Sequence, residues 1–440
     1  MVLHLDDYRE LLDELDPHIR DTLEASFSEA SRVMSPTGLH NFLEATRGLA
    51  SLGRGQDLVI TFIQDMPAVV KEVGEEIIKD AASAALKLSS MVSGEIITLV
   101  FSSLPTAARR LGDLELLRQY LTLLHSLSAK APRGLRPMLS HIDQLLSQLT
   151  LGGLRRWAMW GAQAYARDYE QLTKYFSLES ADAKKVLQAE RRGTLFVDSQ
   201  RKLNFYLRAL WGRGFFLRPT AGDYESREGL RPFIENLVIH VPDAFDDMGE
   251  ITGMDQYRAV AAHAAAHLAY TTSPLSAEQL NPVQMYLIGL FEDARVEYCA
   301  IQKFPGLKKL WRPFHRRPEV IEADAERDPT LVLLERLALA LLDEEVQEND
   351  PIIKPVIDEF RERIVDEYKN NQLSWDLGVT LYNHLLNGQV SIPALRVLEQ
   401  IAIPYRDDNR FIWEFTENIW ADDYEQVAGI PHQKRRTVSV

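Results

Sequence analysis

His263 and His267 are the residues whose type and spacing most clearly suggest chemistry, because they lie four positions apart. On a helix, positions i and i+4 lie on one face, so the two imidazoles could share one metal ion. This is the spacing of the zinc-binding motif H-E-x-x-H, in which the glutamate after the first histidine is the general base. Ala264 occupies that position here. The chain therefore has the ligand spacing of a metal-dependent hydrolase and lacks the group that would activate its water.

The elements expected around the histidine pair follow the order found in gluzincin-type peptidases. An edge strand at 237–241 precedes a ligand helix at 257–270, and a further helix follows at 283–301. That last helix carries three carboxylates that could supply a third ligand, namely Glu292, Asp293 and Glu297. Two imidazoles, one carboxylate and an open position for water would make a catalytic zinc site.

Ala264 argues against hydrolysis, because metal-bound water would have no group placed to accept its proton. The interpretation we favour is that the two histidines are half-buried helix residues in a fold descended from a metalloprotein. They would be hydrogen-bonded to Glu292, Glu297 or backbone carbonyls. We therefore expect no catalytic, cofactor-binding or metal-binding residue in this chain, and no cofactor. Metal binding without catalysis and an active hydrolase stay open as alternatives.

The composition of the chain restricts what it can bind and where it works. Its 440 residues include 49 basic and 64 acidic side chains, a formal net charge of −15. An acidic surface disfavours nucleic acid and anionic membranes, both of which attract dense positive charge. The single cysteine, Cys299, excludes a disulfide framework, and the acidic N-terminus lacks the basic start and apolar core of a signal peptide. We therefore expect a cytoplasmic protein with no nucleic-acid or membrane partner.

Residues 39–176 show a succession of amphipathic helical segments that repeats at intervals of 38 to 39 residues. Residues 66–90 align with 104–128, and 142–166 form a looser third copy. The matching breaker residues are Pro67 with Pro105 and Gly74 with Gly112. A period near 40 with two helices in each unit is typical of an α-solenoid of the HEAT or armadillo kind. The alternative is an irregular helical bundle with chance similarity.

The remainder of the chain reads as helical with a few strands. Strand-like runs are expected at 215–219 and 237–246, where β-branched and aromatic residues are concentrated. Further helices are expected at 330–342, 353–370, 375–387, 392–402 and 409–425. The expected fold class is mainly α, with a HEAT/armadillo-like α-solenoid followed by a helical domain whose few short strands resemble a degenerate zincin. The expected domains are 1–190, 191–318 and 319–440.

Two segments, 208–218 and 303–317, mix basic and aromatic side chains. Nucleic-acid bases could stack on such rings, but the acidic net charge disfavours this. We expect these segments to tie the helical array to the histidine-bearing region or to contact an acidic protein partner.

The order of these parts resembles that of a known family. A helical-repeat front half contains the run YFSLES (175–180), and the runs HAAAHL (263–268) and IGLFEDARVE (288–297) follow it. This order is similar to the N-terminal region of CbbO- and NorD-type proteins, over about residues 35–430. The most specific part is the run FEDARVE with the histidine pair before it. The long helical front half resembles CbbO members of the family more than NorD members.

The resemblance implies a function in which surfaces matter more than reactive groups. In that family such a region precedes a C-terminal von Willebrand factor A domain, and the proteins pair with a hexameric MoxR-group AAA+ ATPase. CbbO with its CbbQ partner acts as a rubisco activase, and NorD is linked to maturation of nitric oxide reductase. The resemblance thus implies a non-enzymatic adaptor that couples the ATPase to a client enzyme, with sugar-phosphate-inhibited rubisco as the expected client. It also implies that 319–440 is a helical region and linker to an A domain absent from this sequence. A NorD-like maturation factor and, in a different class, a zinc metallohydrolase stay open.

Overall fold

The computed structural model of the chain describes residues 15–191, 193–220, 231–315, 328–392, 394–398, 401 and 403–414. The described chain is mainly helical with a few short strands, which confirms the mainly α class. It forms two compact units, one containing the described residues up to 197 and one containing those from 198 onward. The three-domain division stays a prediction. Within these described residues, no helix combines the length and the apolar character needed to cross a membrane.

The first unit consists of eleven described helices and a two-residue strand. The helices are α1 (Pro17–Val33), α2 (Pro36–Ser51), α3 (Gln56–Val73), α4 (Ile77–Ser89), α5 (Gly94–Leu111), α6 (Leu114–Lys130), α7 (Pro132–Ser140), α8 (Ile142–Leu146), α9 (Leu151–Ala164), α10 (Tyr169–Phe176) and α11 (Ala181–Glu190). The strand β1 is Thr194–Leu195, and helix α12 (Phe196–Trp211) begins directly after it.

Local sequence signals explain where these helices begin and end. Asp16 and Ser35 cap α1 and α2 through their side-chain oxygens, and each is followed by a proline at the first helical position. Asp113 caps α6 in the same way. Gly74 and Gly112 end α3 and α5 with φ values of 100° and 65°, a backbone region that favours glycine. The two glycines matched by the sequence repeat therefore both end the first helix of a helix pair.

The first six helices pack in two rows. Helix α3 packs against α1 and α5, and α4 packs against α2 and α6, so each helix contacts the one two places along the chain. Residues separated by about one repeat touch. Arg118 Nε donates to Asp80 Oδ2 at 2.7 Å, and the rings of Phe62 and Phe101 have centroids 5.2 Å apart. Equivalent positions of neighbouring helix pairs thus lie against each other.

The second unit contains α12, a small sheet and a group of buried helices. Its other helices are α13 (Gly253–Tyr270), α14 (Pro282–Lys303), α15 (Gly306–Trp311), α16 (Pro329–Leu342), α17 (Lys354–Glu367), α18 (Gln372–Asn387) and α19 (Leu395–Leu398). Its strands are β2 (Phe216–Thr220), β3 (Phe233–Glu235), β4 (Val238–Pro242), β5 (Ala244–Phe245), β6 (Leu275–Ser276) and β7 (Trp413–Glu414). Strand β4 lies between β2, to which it is parallel, and β3, to which it is antiparallel. The two strand runs expected from sequence are confirmed by β2 and β4.

The expected helix at 409–425 is wrong over the part that the structure describes. Asn409 has a φ of 60°, a 3₁₀ turn covers Arg410–Ile412, and β7 follows. Strand β7 pairs in parallel with β6, so Trp413 lies opposite Leu275. This pairing and the hydrogen bonds that Arg410 makes to Asp408 override the helical pattern. Residues 415–425 lie outside the described part, and of the helix expected at 392–402 the described residues show only α19.

Helix α14 is the centre of the second unit. Fourteen of its 22 residues are buried, and it packs against α13, α16 and α18. Its buried side chains include Glu292, Asp293, Arg295 and Glu297. A charge removed from water this completely needs a partner of opposite charge or a metal ion. The run FEDARVE therefore places a charged network inside the protein.

Gly378 of α18 permits this close packing. A Cβ at this position would lie 2.6 Å from the Cα and 2.7 Å from the backbone nitrogen of Ile288. We expect Gly378→Ala to reduce the free energy of unfolding by about 1–3 kcal/mol, because overpacking against backbone outweighs the gain of about 1 kcal/mol in helix propensity. Gly306→Ala is the control, since its Cβ would meet nothing within 4 Å. Urea unfolding of the two variants measures the difference, and equal stability would contradict this account of the α14–α18 contact.

The basic–aromatic segment at 303–317 makes internal contacts in the second unit. Trp311 is buried and donates from Nε1 to the carbonyl of Ala259 at 3.1 Å. Lys308 and Arg312 both reach the buried carboxylate of Asp343, at 2.8 and 2.5 Å. This part of the segment is thus built into the fold.

Asp343 makes stability depend on pH. Burial raises the pKa of its carboxyl, but the hydrogen bonds from Lys308 and Arg312 outweigh burial and bring the pKa below 3.8. The pKa of Asp343 is lower in the folded protein than in the unfolded chain, where it is about 3.9. The ionised carboxylate therefore stabilises the fold fully above about pH 3.9, and this stabilisation is lost as pH falls through the folded pKa. Asp343→Asn should therefore cost about 1–2 kcal/mol at pH 7 and progressively less below about pH 4. Unfolding curves at both pH values measure this. Asp358→Asn is the control, because the Asp358 side chain is 55% exposed. If the loss of stability in Asp343→Asn did not change with pH, the proposed role of the Asp343 charge would be contradicted.

Candidate metal centre

Helix α13 presents both histidines to the interior. Thr252 caps the helix by accepting from the backbone nitrogen of Asp255, so the helix begins ten residues before the first histidine. His263 and His267 are each 0% exposed, and their ring centroids lie 4.8 Å apart. The expected placement on one helix face is confirmed, whereas both rings are fully buried and the expectation was half-burial.

Two aspartates complete a cluster of four donor atoms around the imidazoles. Asp293 comes from α14, and Asp407 comes from the segment between α19 and the last 3₁₀ turn. Nε2 of His263 lies 3.5 Å from Asp293 Oδ1 and 3.6 Å from Asp407 Oδ1. Nε2 of His267 lies 3.2 Å from Asp293 Oδ1 and 3.6 Å from Asp407 Oδ1. All four donor atoms lie within 4.8 Å of one another, so one small cation could contact them all.

The other ring nitrogens face away from this cluster. Nδ1 of His267 lies 3.3 Å from Thr271 Oγ1, whose hydroxyl donates to Glu292 Oε1 at 2.7 Å. Because that hydroxyl proton is already used, Thr271 can only accept from Nδ1–H. Nε2 of His267 faces the aspartates and lies at hydrogen-bond distance, 3.2 Å, from Asp293 Oδ1. Nδ1 of His263 lies 3.2 Å from Glu297 Oε1. Both rings therefore present Nε2 to the same point.

Glu297 and Arg406 form a buried ion pair beside the cluster. Nε and Nη2 of Arg406 donate to the two oxygens of Glu297 at 2.9 and 2.7 Å, and the Tyr405 hydroxyl donates to Oε1 at 2.9 Å. Nη1 of Arg406 lies 3.6 Å from Asp293 Oδ2. Tyr405 in turn accepts from His315 and stacks on Trp311. The two residues before Asp407 are therefore held in place by ion pairs, hydrogen bonds and ring stacking.

Glu292 belongs to a separate network next to His267. It accepts from Nε and Nη2 of Arg295 at 2.8 and 2.6 Å, and from the hydroxyls of Ser374 and Thr271, both at 2.7 Å. Arg295 also donates to two backbone carbonyls and is fully buried. Of the three carboxylates considered from sequence, only Asp293 contacts both imidazoles. Glu297 lies at Nδ1 of His263, and Glu292 reaches His267 only through the hydroxyl of Thr271.

The charges around His263 determine its protonation in the metal-free protein. Burial lowers the pKa of His263, but the carboxylates of Asp293, Asp407 and Glu297 outweigh burial and raise that pKa well above 6.5. Burial raises the pKa of Asp293 and of Glu297, but contacts with His263 and Arg406 hold both pKa values well below the usual range, at about 2 for Glu297. The short contacts of His263 with these carboxylates and the charge of Arg406 account for these directions.

A pocket adjoins the cluster without opening it. It is partly open to solvent, and Asp293, Arg406, Asp407 and Asn409 are among its lining residues. The two ring nitrogens of His263 and both carboxylate oxygens of Asp407 nevertheless have no solvent contact. Gly289 of α14 makes room for the covering segment, because a Cβ there would lie 2.9 Å from Asn409 Nδ2. Asn409 therefore packs closely on α14 beside the cluster.

Sequence reasoning missed Asp407, Arg406 and Thr271. The one available signal is the polar run YRDDNR (405–410), which is flanked by apolar residues on both sides. A comparison of the chain with protein-family models, with curated proteins and with solved structures finds no match.

Proposed function

We propose that this chain is a non-enzymatic adaptor that couples a MoxR-group AAA+ ATPase to a client enzyme in the cytoplasm, with inhibited rubisco as the client. The ATPase supplies the work, and the adaptor places the client so that remodelling releases a bound sugar-phosphate inhibitor. The sequence resemblance to CbbO- and NorD-type proteins suggests these partners. The physical features below support an adaptor, and partner identity rests on the resemblance.

The stacking in the first unit is the observation that carries the proposal. Contacts such as Asp80 with Arg118 and Phe62 with Phe101 join residues one repeat apart. Contact between equivalent positions is what a HEAT- or armadillo-like α-solenoid requires, and we propose that fold for α1 to α6. Arrays of this type bind other proteins across extended surfaces. A chain that grips a partner in this way needs broad contact more than reactive side chains.

The geometry of the histidine site favours an adaptor over the alternative of a zinc hydrolase. Ala264 stands where the base would be, and the nearby Glu292 and Glu297 are already bound to arginines. The ring nitrogens of His263 and the carboxylate oxygens of Asp407 have no solvent contact, which disfavours access of a substrate. Tyr257 of α13 donates to the carbonyl of Pro242 in β4 at 2.9 Å, so the helix lies beside a strand as in zincins. We propose that this region is a degenerate zincin, which retains the arrangement of strand and histidine-bearing helix but does not catalyse hydrolysis.

Reconstitution with purified components tests the adaptor proposal. The chain is mixed with a hexameric MoxR-type ATPase and ATP, and then with rubisco inhibited by a sugar phosphate. We expect the chain to co-elute with the ATPase and carboxylase activity to recover only when chain, ATPase and ATP are all present. Mixtures with ADP, or without the chain, are the controls. Recovery without the chain, or no association with the ATPase, would contradict the proposal.

A second client distinguishes the two branches of the family. Pull-down of rubisco and of nitric oxide reductase with the same immobilised chain, each with ATPase present, shows which enzyme is retained. Retention of rubisco alone supports the activase role. Retention of nitric oxide reductase alone supports a NorD-like maturation factor and rejects rubisco as client.

A further inference from the structure

We propose that His263, His267, Asp293 and Asp407 bind one zinc ion, which holds the 403–414 segment against α13 and α14. This inference is independent of the adaptor proposal. It also departs from our sequence-based expectation of no metal ligand. The reason for the departure is Asp407, a donor that no local sequence pattern connects to the histidines. The distances, the unpartnered atoms and the net charge of the cluster each support the site.

Four of the six distances between donor atoms match those of tetrahedral zinc. Zinc bonds to histidine nitrogen and carboxylate oxygen at about 2.0–2.2 Å, so neighbouring ligand atoms of a regular tetrahedron lie about 3.3–3.6 Å apart. The four distances between a histidine Nε2 and an aspartate Oδ1 are 3.5, 3.6, 3.2 and 3.6 Å. The other two donor pairs lie within 4.8 Å. Three of the four histidine–aspartate distances are long for hydrogen bonds, and the fourth, 3.2 Å between His267 Nε2 and Asp293 Oδ1, is a long hydrogen bond. All four match the spacing of atoms that share a zinc ion.

Buried polar atoms of the cluster lack hydrogen-bond partners. Among the described residues, neither ring nitrogen of His263 and neither oxygen of Asp407 makes a hydrogen bond. The side chains are 0% and 1% exposed, so water does not satisfy these atoms. A buried carboxylate that accepts no hydrogen bond is unfavourable in a folded protein. A cation bound at Asp407 Oδ1 and His263 Nε2 removes most of that cost.

The charges of the cluster favour a divalent cation. Asp293, Asp407 and Glu297 supply three negative charges, and Arg406 is the positive side chain among them. Metal-ligating imidazoles are neutral, so with both histidines bound to an ion this leaves two negative charges in the interior. One divalent ion neutralises them. Imidazole and carboxylate together suit zinc, and a closed tetrahedral arrangement favours it over magnesium or calcium, which take more oxygen ligands.

The surrounding contacts are those that orient metal ligands. A metal-bound histidine commonly donates its other N–H to a carboxylate or another acceptor, which sets the tautomer. Thr271, itself bound to Glu292, takes this role for His267, and Glu297 lies at Nδ1 of His263. Four protein ligands with no open position are typical of a structural zinc site. The ion therefore binds three chain segments together and performs no reaction.

Metal analysis of the full chain, purified without a polyhistidine tag, tests the site. We expect about one zinc ion per chain, and a melting temperature that falls when a strong chelator removes the ion and recovers when zinc is restored. We expect Asp407→Asn and His263→Ala each to reduce the zinc content at least tenfold. Cobalt substitution should produce the visible absorption of a tetrahedral complex.

Asp408→Asn is the matched control, because it makes the same chemical change one residue away on a side chain paired with Arg410. It should retain its zinc, even where its stability changes. Hydrogen exchange separates metal loss from unfolding, since peptides from 403–414 should exchange faster in Asp407→Asn while peptides from α5 stay protected. The proposal is overturned if the parent chain binds no zinc after saturation, or if Asp407→Asn binds as much zinc as Asp408→Asn. It is equally overturned if chelation leaves the melting temperature unchanged.

Discussion

Replacing Arg406 with methionine is expected to lower the free energy of unfolding of the second unit by about 3–5 kcal/mol. Arg406 is only 5% exposed and makes two short hydrogen bonds to Glu297 while lying 3.6 Å from Asp293. Methionine keeps much of the apolar stem and removes the charge. Glu297 then loses both charge-assisted hydrogen bonds from the guanidinium while it stays buried, which is costly. For a unit of this size the loss corresponds to a fall in melting temperature of about 6–20 °C.

Arg363→Met is the control for this prediction. Arg363 also contacts three carboxylates, those of Glu359, Glu367 and Asp376, but its side chain is 27% exposed and theirs are 37 to 40% exposed. Solvent screens such pairs, so we expect a loss below about 1 kcal/mol. Hydrogen exchange of peptides from α14, followed by mass spectrometry, reports on the second unit alone. Similar losses in the two variants would show that burial of the Arg406 network is not what stabilises this region.

The second large effect is expected for Glu292→Gln. Glu292 is 0% exposed and accepts four hydrogen bonds, two of them from the fully buried Arg295. The amide removes the negative charge and turns one acceptor into a donor that faces other donors. We expect a loss of about 3–5 kcal/mol, because the guanidinium of Arg295 is left in the interior without a counter-charge.

A double variant identifies the cause of that loss. Adding Arg295→Met to Glu292→Gln removes the stranded charge, so the double variant should be more stable than Glu292→Gln alone. Glu359→Gln, at a side chain 40% exposed, should cost less than about 1 kcal/mol. Chemical denaturation of five proteins measures these differences, namely the parent, Glu292→Gln, Arg295→Met, the double variant and Glu359→Gln. If the double variant loses the sum of the two single losses, the buried ion pair is not the source of the effect.

The positions of the two histidines could be predicted from sequence because helical geometry is local. A separation of four residues on an alanine-rich segment specifies one face of one helix, and α13 has both rings on its buried face. The strands β2 and β4 were likewise predictable, since β-branched and aromatic residues are clustered there. The repeat of Pro67 and Gly74 at Pro105 and Gly112 indicated matching helix pairs, and both prolines lie inside their helices.

Which carboxylate of α14 faces the histidines cannot be predicted from the residue types alone. Adjacent residues on a helix point about 100° apart, so Glu292 and Asp293 cannot both face the histidines, whereas Asp293 and Glu297 lie four residues apart on one face. That rule separates Glu292 from the other two. The rotation of α14 against α13 then decides that Asp293 reaches both rings and that Glu297 reaches the far side of one. This rotation depends on packing, including the contact of Gly378 with Ile288.

Asp407 could not be assigned from sequence because its contact spans 144 positions from His263. The segment that carries it has no regular structure before the 3₁₀ turn, and its path depends on Asn409 and on the pairing of β7 with β6. Periodicity predicted a helix from 409 onward, which would have given Asp407 no defined direction. The charged run among apolar neighbours was the only local sign that these side chains are buried together.

Anomalous diffraction at the zinc absorption edge, from crystals of the zinc-saturated chain, tests the central claim most directly. We expect one strong peak at about 2.0–2.2 Å from Nε2 of both histidines and from an oxygen of Asp293 and of Asp407. A map without a peak there, with the two imidazoles hydrogen-bonded directly to the aspartates, would show that the pair is a buried charge network that needs no metal.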